Sequence, residues 1–425
     1  MLHSCITKKI TLLISAFCLS AQIAFAAMPG TPAALNQASA WLRPDGNTVL
    51  MTDARRKAVN AQMERSVFGD DFKNLPDTVT SSALTQYVNQ FAMDVNQYVQ
   101  GVPLSHAQAE QLVSDAKANI RPNNAVRNGV VVKRSDLRSF PTLLRAFDTP
   151  GDHSFDNWQE TAVDPATPVR VYHTNPKGNF IFVRTPHYRG WIPTNQVAIT
   201  DKKSWLTFVE PTSPAVVTGR LLTLNAGSVP QLYQMGTAIP TANGNLQLPT
   251  RNHQGYLEIV PVKAVYGAYL HQGYLPYTTN NTIIMAFKHL GAPYGWGGMQ
   301  NSVDCSAFVQ DVFKTMDVQL PRNGDEQVKA ISGKSFQGLS HAQRMEIIKN
   351  LPAGSLLFTP FHVMLTLGNA NGTPYMIHSL ASYGEKSSSG VVRNRIMQVV
   401  VSKVDLLGGS GTPLVDQMIQ ANTIR

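Results

Sequence analysis

The pattern of apolar residues changes twice along this 425-residue chain, and each change limits the folds open to it. Up to about residue 125, apolar residues recur every three or four positions, which predicts helices over 82–99 and 105–120. From about 129 to 260 the sequence becomes short alternating runs separated by Gly, Pro and Asn, a pattern typical of one or two small β-barrels. Beyond about 280, helical and strand patterns mix. The sequence therefore predicts a multidomain α+β protein.

Each part carries more specific signals. Ser105 and Gln108 stand at capping-box spacing ahead of the second predicted helix. A further helix is predicted over 282–290, and another begins near Cys305. The clearest predicted strands of the β region lie over 130–132, 169–172, 179–183, 190–192 and 256–260.

The first 26 residues have the pattern of an export signal. Lys8 and Lys9 precede an apolar stretch over 10–19, and Ala24 and Ala26 supply the small residues that a signal peptidase reads. Because the stretch is shorter than the about 20 residues that cross a membrane, we predict cleavage after Ala26 and no transmembrane segment.

Export sets the redox compartment and the meaning of the net charge. A lipoprotein is disfavoured because the bulky Phe17 precedes Cys18. Loss of the signal removes Cys5 and Cys18, so Cys305 is the one cysteine that remains. It also removes two of the 36 basic residues, and the remaining 34 exceed the 27 acidic residues by a formal charge of +7. That charge favours anionic partners such as wall polymers or lipid head groups. Nucleic acid is a poorer candidate, because the basic residues are scattered and form no recognisable motif.

A single thiol in an exported protein cannot form an internal disulfide, so Cys305 is either a small buried hydrophobe or a reactive group. It follows a Gly-rich loop and Asp304, at the predicted start of a helix. The buried side of that helix would carry Phe308, Val309, Val312 and Phe313. Unpaired backbone N–H groups and the positive end of the helix dipole stabilise a thiolate at this position. We therefore expect a lowered thiol pKa and a place for a developing oxyanion.

Two of the 11 histidines are placed to act with this thiol. His362 and His378 lie on successive predicted strands joined by the hairpin signal Asn371-Gly372. A five-residue loop over 369–373 puts both histidines on one sheet face, one diagonal step apart, whereas a six-residue loop puts them on opposite faces. In the first arrangement His362 takes the thiol proton and His378 orients it. The alternative interpretation is two ordinary sheet histidines.

A zinc site is the other use of one cysteine and two histidines. Zinc ligands often come in closely spaced pairs, but these residues are separated by 57 and 16 positions. We therefore predict no metal and no cofactor.

The motifs around these residues resemble those of the NlpC-type cell-wall peptidases, which are papain-like cysteine enzymes. The matching residues are Pro293-Tyr294-Gly295-Trp296-Gly297-Gly298, Asp304-Cys305-Ser306, Leu320-Pro321-Arg322, His362-Val363 and His378. Upstream, Arg134 to Arg138, Phe155 to Gln159 and Tyr188 to Trp191 resemble the first bacterial SH3-like domain of longer members. The resemblance implies a helical stabilising segment over 27–125, SH3-like barrels over 126–204 and 205–270, and a papain-like catalytic domain over 271–425.

By this resemblance Cys305 is the nucleophile, His362 the base and His378 the third member of a triad. The family cuts the bond between D-γ-glutamyl and a diamino acid in peptidoglycan stem peptides or muropeptides, and forms with these barrels tend to require a free N-terminal L-alanine. The residues expected near the substrate are Tyr188, Tyr294, Asp304, Ser306, Arg322, Asn323 and Gly324. For Tyr188, simple core packing is an equal alternative. Asp304 is expected to cap or orient the helix and not to react.

One position departs from the family pattern. After Pro-Arg these forms commonly carry Asp-Ser, whose carboxylate helps to hold the free amine, but this chain has Asn323-Gly324. A charge-assisted contact of this kind is worth about 1.5 to 3 kcal/mol, so strict selection for a free amino end is in question. Asp325 and Glu326 are the alternatives that could replace the carboxylate.

Two other functions remain open at this stage. A wall-binding protein with a decayed catalytic domain is supported by Asn323-Gly324 alone. An acyltransferase or amidase on the same papain-like fold would use the same three residues. We predict instead an exported, monomeric cysteine endopeptidase, in a Gram-negative periplasm in preference to the extracellular medium.

Overall fold

The structure is a computed structural model that describes residues 28–425. The predicted export signal lies outside these residues. The described chain is α+β and is built from an N-terminal segment, two small β-barrels and a C-terminal domain with a six-stranded sheet, so the predicted fold class is confirmed.

The N-terminal segment is less helical than predicted. Its helices and strands are α1 (Asp53–Phe68), β1 (Thr78–Thr80), α2 (Ser81–Val88), β2 (Tyr98–Val99), β3 (Val102–Pro103), α3 (His106–Lys117) and β4 (Asn123–Ala125). The helix predicted over 82–99 is wrong beyond Val88, because the chain turns at Asp94, whose carboxylate accepts from the Asn96 N–H. The β2 strand then pairs with the first barrel. The predicted Ser105 capping box does begin α3.

The first barrel holds one antiparallel sheet of seven strands. Its strands are β5 (Arg127–Val131), β6 (Ser135–Arg138), β8 (Gln159–Val163), β9 (Pro168–Thr174), β10 (Phe180–Arg184), β11 (Arg189–Pro193) and β12 (Val197–Thr200), and β7 (Ala146–Phe147) pairs with β2. The sheet order is β12-β5-β9-β10-β11-β6-β8, which leaves β8 at an edge. Inward-facing aliphatic side chains such as Leu137, Val171 and Ile192 fill the core. This edge strand meets the C-terminal domain.

Helix α4 (Lys202–Val209) leads into the second barrel, and Trp205 on this helix packs into the core of that barrel. The strands of the second barrel are β13 (Ala215–Val217), β14 (Leu221–Ala226), β15 (Val229–Gln234), β16 (Ala238–Ile239), β17 (Thr241–Ala242), β18 (Asn245–Arg251), β19 (Leu257–Lys263) and β20 (Leu270–Gln272). Tyr233, Leu246 and Leu248 are fully buried between them.

The C-terminal domain packs helices on one antiparallel sheet. Its elements are α5 (Thr279–Phe287), α6 (Cys305–Lys314), α7 (Gly324–Ala330), β21 (Lys334–Ser335), α8 (His341–Lys349), β22 (Leu356–Thr359), β23 (His362–Ala370), β24 (Thr373–Ser387), β25 (Gly390–Lys403), α9 (Leu414–Gln417) and β26 (Gln420–Asn422). The strand order is β21-β26-β22-β23-β24-β25. The apolar side of α6 is buried against the sheet, as predicted, and each such side chain contributes about 1.5 to 3 kcal/mol. This packing fixes the start of α6 over the central strands.

The loop between β23 and β24 is shorter than predicted. Ala370 pairs with Thr373, so the connection is the two-residue turn Asn371-Gly372, in which both residues have left-handed φ angles of 50° and 75°. Asn-Gly is the preferred pair for such a turn. The predicted five-residue loop is therefore wrong.

A β-bulge at Leu367 nevertheless restores the predicted side-chain arrangement. The bulge adds one residue to β23 and shifts the register, so that Leu365 pairs with Ile377 beyond it. In this register His362 and His378 lie on the same face of the sheet, one diagonal step apart.

Candidate active site

The side chain of Cys305 lies at the first residue of α6. Asp304 caps this helix, because its carboxylate accepts from the Ala307 N–H across 2.9 Å. Cys305 is partly exposed, whereas the residues that follow it up to Phe313 are buried. Cys305 is therefore held at the start of a rigid helix, in a residue that the protein does not fully enclose.

A glycine-rich loop positions α6 against the first barrel. Gly297 and Gly298 have left-handed φ angles of 54° and 83°. A Cβ on Gly298 would lie 2.5 Å from the Cβ of Ala162, and one on Gly297 would lie 2.7 Å from the side chain of Gln159. The Gln159 amide also donates to the Gly297 carbonyl across 2.8 Å. Because β8 approaches so closely, only glycine fits at both loop positions.

The two predicted histidines are in direct contact. Nε2 of His362 lies 2.7 Å from Nδ1 of His378, and Nε2 of His378 lies 3.0 Å from the Ser402 hydroxyl. That hydroxyl donates to the Lys403 carbonyl. One proton assignment satisfies this chain: Ser402 donates to the carbonyl, His378 donates to Ser402, and His362 donates to His378. Nδ1 of His362 is then a free acceptor for the thiol proton.

The thiol is neutral in the resting site. Burial, followed by the charge of Asp304, raises the pKa of Cys305 to about 11, although the backbone N–H groups of Val363 and Ser306 act in the opposite direction. Burial lowers the pKa of His362 to about 4. The predicted lowering of the thiol pKa is therefore wrong, because desolvation outweighs the stabilisation expected at a helix start. The Val363 contact places the beginning of β23 against the sulfur.

Asp304 and Arg322 form a buried ion pair behind the nucleophile. Nη2 of Arg322 lies 2.5 Å from Oδ2 of Asp304, and Nη1 donates to the Ser306 hydroxyl across 2.9 Å. Nε of Arg322 donates to the Thr161 hydroxyl on β8 across 2.7 Å. Burial alone would raise the pKa of Asp304, but the charge and hydrogen bonds of Arg322 hold it below its usual value. These predicted substrate residues therefore bond to one another and support the start of α6.

A cavity of about 360 Å³ opens between the first barrel, the N-terminal segment and α7. Four of its lining residues carry or contact carboxylates, and we call them the acidic side: Glu160, Tyr188, Asn323 and Glu326. The Tyr188 hydroxyl donates to Glu160 across 2.5 Å and also bonds to Asn323. The cavity is also lined by Phe68, Gln90, Phe91 and Ala92 of the N-terminal segment and by Arg189, Ser139 and Asn157 of the first barrel. Tyr188 thus packs partly against the barrel core and also borders the cavity.

Aromatic rings cover the side of the site nearest the glycine-rich loop. Tyr294 is buried, and its burial is the main cause that raises its pKa, followed by the thiolate that Cys305 carries at high pH. The ring of Phe155, from the first barrel, lies 6.0 Å from that of Tyr294 and 5.6 Å from that of Trp296. Arg395 of β25 lies over Phe155 and pairs with Asp152 across 3.0 Å. The barrel therefore contributes one wall beside the nucleophile.

The residues after Arg322 divide into two groups. Asn323 caps α7 and borders the cavity together with Glu326, whose carboxylate accepts from the Asn323 N–H across 3.0 Å. Gly324 begins α7 and is not part of the cavity wall. Asp325 pairs with Lys329 at the surface. Of the two alternatives for the absent aspartate, Glu326 is the one that reaches the cavity.

Three residues of the site were not identified from the sequence. Glu160 and Thr161 lie on β8, and their roles depend on how the barrel meets the C-terminal domain. Ser402 lies on β25, opposite β24. The alternating pattern of these strands shows which side chains face inward, but it does not show which domain they contact.

The described part of the chain, residues 28–425, contains no group of three or more His, Cys, Asp or Glu side chains arranged to hold a metal ion. Within the same residues, no helix combines the length and apolar character needed to cross a membrane.

Comparisons with known proteins agree with this arrangement. The model of the NlpC/P60 family matches residues 291–404, and that of an SH3 domain (SH3b1 type) matches residues 145–193. No curated protein matches the chain. An NlpC/P60 endopeptidase from Photobacterium damselae subsp. piscicida is similar in structure, with a TM-score of 0.72 and 18% identity over 87% of this chain and 90% of that one. An NlpC/P60 family protein from Bacillus cereus ATCC 10987 shares 17% identity over 63% of this chain and 82% of that one, with a TM-score of 0.43. The family matches confirm the resemblance found in the sequence.

Proposed function

We propose that this chain, an NlpC/P60 family protein with an SH3b-type barrel before its catalytic domain, is a cysteine peptidase that hydrolyses the D-γ-glutamyl–diamino acid bond of peptidoglycan stem peptides. The observation that carries the proposal is the chain of hydrogen bonds from His362 through His378 to Ser402. His362 begins β23, and the N–H of the next residue, Val363, contacts the sulfur of Cys305.

The neutral thiol and imidazole suit general-base catalysis. As the sulfur of Cys305 attacks the γ-carbonyl carbon, its proton passes to Nδ1 of His362. His378 holds the ring of His362 and stabilises the imidazolium that forms. The backbone N–H of Cys305, at the first position of α6, is the donor for the developing oxyanion, because the N–H groups of Ser306 and Ala307 contact the sulfur and the Asp304 carboxylate. His362 then gives the proton to the leaving amine, and a thioester remains on Cys305.

The second half of the reaction uses the same groups. Water loses a proton to His362 as its oxygen attacks the thioester carbon. The C–S bond breaks, and the released sulfur recovers the proton. The products are a peptide ending in a D-glutamyl γ-carboxylate and a free diamino acid or a peptide that begins with one. No cofactor is needed for either half.

The acidic side of the cavity supports a substrate with a free amine. Glu160 accepts hydrogen bonds from two hydroxyl groups, and no lysine or arginine pairs with it among residues 28–425. Glu326 borders the same space. Two carboxylates in a half-enclosed cavity favour a cation, and an N-terminal ammonium is the cation that a trimmed stem peptide offers. These two residues would then replace the carboxylate that Asn323 lacks.

The test is to incubate the protein with L-Ala-γ-D-Glu-diaminopimelate carrying either a free or an acetylated amino end, and to follow the products by mass spectrometry. We expect cleavage of the free peptide and about 10- to 100-fold slower cleavage of the acetylated one. The Cys305→Ser variant is the matched control and should release no diamino acid. Release of diaminopimelate by that variant would contradict the proposed mechanism.

We also propose that the protein acts outside the cytoplasm, in a Gram-negative periplasm. The signal pattern of the first 26 residues supports this location, as does the location of a wall substrate. Fractionation of cells that express the full chain, together with the mass of the exported product, tests it. Export with cleavage after Ala26 is expected, and retention of the uncleaved chain in the cytoplasm would contradict it.

A further inference from the structure

Arg189, the first residue of β11, is fixed at the cavity wall between two aromatic rings. Its guanidinium carbon lies 4.5 Å from the ring centre of Phe68 and 4.0 Å from that of Tyr87. Cation–π contacts of this kind hold the side chain in one orientation. Phe68 is the last residue of α1, so the N-terminal segment supplies part of this support.

The guanidinium of Arg189 has no anionic partner within the described part of the chain. No carboxylate of residues 28–425 pairs with it, and its Nε is buried without a hydrogen-bond acceptor. Asp70 pairs with Arg184 instead. Burial, with the charge of Arg184, lowers the pKa of Arg189. A partly buried arginine without an acceptor is costly to the free protein, and an arginine fork suits a carboxylate.

Arg189 gives the cavity a cationic group in addition to its two carboxylates. Tyr188 and Glu160 belong to the acidic side, and Arg189, the next residue after Tyr188, borders the same space. The cavity can therefore hold a ligand that carries an ammonium group and a carboxylate a short distance apart.

We propose that Arg189 binds the free α-carboxylate of the D-glutamyl residue, and so makes this carboxylate a requirement for rapid cleavage. The inference rests on the proposed function. In a γ-linked stem peptide the γ-carboxyl forms the scissile bond, so the α-carboxylate remains ionised. It belongs to the residue next to the amino-terminal alanine, about 3.8 Å away from Cα to Cα in an ordinary chain, so one cavity can receive both the ammonium and this carboxylate.

The test compares two peptides that differ only at this carboxylate: L-Ala-γ-D-Glu-diaminopimelate and its D-isoglutamine form, in which the α-carboxylate is an amide. For the wild-type protein we expect kcat/KM to be about 10- to 100-fold higher for the carboxylate peptide. In the Arg189→Gln variant this ratio should fall towards one, and in Arg189→Lys it should be intermediate. Arg127→Gln removes an equal charge at an exposed arginine outside the cavity and should keep the wild-type ratio.

Each outcome separates this inference from the proposed function. Cleavage of both peptides at equal rates by the wild-type protein would overturn the role of Arg189 and leave the peptidase intact. So would a wild-type ratio in a folded Arg189→Gln variant. Cleavage of neither peptide would overturn the proposed function itself. The wild-type comparison needs no variant, so equal rates would overturn the inference even where Arg189→Gln fails to fold, and in that case Arg189→Lys assigns the contact to this residue.

Discussion

Nε of Arg322 in the catalytic domain donates to the hydroxyl of Thr161 in the first barrel across 2.7 Å, directly behind the nucleophile. The same guanidinium pairs with Asp304, which caps the helix that begins with Cys305. One arginine therefore connects the barrel to the position of the thiol. Substitutions at this connection should affect both the stability of the protein and its activity.

Replacement of Arg322 by Met should lower the free energy of unfolding by about 3 to 5 kcal/mol, because it leaves Asp304 buried without its partner. Thr161→Val removes one hydrogen bond and should cost about 1 to 3 kcal/mol. Urea denaturation at pH 7, followed by tryptophan fluorescence, measures both. Equal values for the two variants would show that the ion pair adds nothing beyond the contact with the barrel.

The contribution of this ion pair should disappear in acid. Arg322 lowers the pKa of Asp304 in the folded protein, so the stabilisation that the paired carboxylate gives is complete above its unfolded pKa and is lost as the pH falls through its folded pKa. In Arg322→Met, burial instead raises the pKa of Asp304, so the stability difference between the two proteins should be largest at pH 8 and should shrink steadily as the pH falls towards 3. A series of urea denaturations over pH 3 to 8 tests this, and a difference that grows in acid would contradict it.

Cys305 should react slowly with alkylating agents at neutral pH. Its pKa of about 11 leaves little thiolate at pH 7, so the rate with iodoacetamide should still be rising at pH 10. Mass spectrometry of the labelled protein measures the rate, with Cys305→Ser as the unlabelled control. A plateau between pH 5 and 8 would instead indicate a thiolate–imidazolium pair in the resting enzyme.

His378 and Ser402 should differ in importance, because His378 contacts the base and Ser402 contacts only His378. We expect His378→Leu to lower kcat about 10²- to 10⁴-fold with little change in KM. Ser402→Ala should lower kcat less than about 10-fold, since water can replace a hydroxyl acceptor. Steady-state kinetics with the free stem peptide compare them. A larger loss for Ser402→Ala would place the orienting function on the serine.

Addition of a carboxylate at residue 323 should sharpen the preference for a free amine. In Asn323→Asp the helix cap is kept and a charge is added beside Glu160, so the ratio of cleavage rates for free and acetylated peptides should rise about 10-fold. Glu160→Gln should lower that ratio. Asp325→Asn changes a carboxylate that pairs with Lys329 outside the cavity and should leave it unchanged. If Asp325→Asn lowers the ratio as much as Glu160→Gln, the acidic side is wrongly located.

Local signals predicted the position of the nucleophile better than they predicted its environment. The capping Asp304 and the apolar side of α6 were sufficient to locate the start of the helix. The direction of the thiol pKa was wrong because burial depends on the strand and the domain that pack against Cys305. Such packing does not follow from the sequence near the cysteine.

The histidine pair shows how a correct arrangement can follow from an incorrect loop. The Asn371-Gly372 signal predicted a hairpin, but a bulge at Leu367 has no distinctive sequence and was missed. The shorter turn and the extra residue offset one another, and both histidines face the same side. Glu160 could not have been found in this way, because it lies 166 positions away from its counterpart Glu326 on α7 and meets it only through the packing of two domains.

Gly297 and Gly298 pack closely against β8, and this contact affects how proteins of this architecture can acquire new substrate specificities. A chain reduced to residues 271–425 would keep Cys305, His362 and His378 but lose Thr161, Glu160, Tyr188 and Phe155, and with them a wall of the candidate site. Exchange of the barrel for a related one would therefore alter which peptides the candidate site accepts. In this architecture, recombination between barrels offers a route to new specificity in which the catalytic residues stay the same.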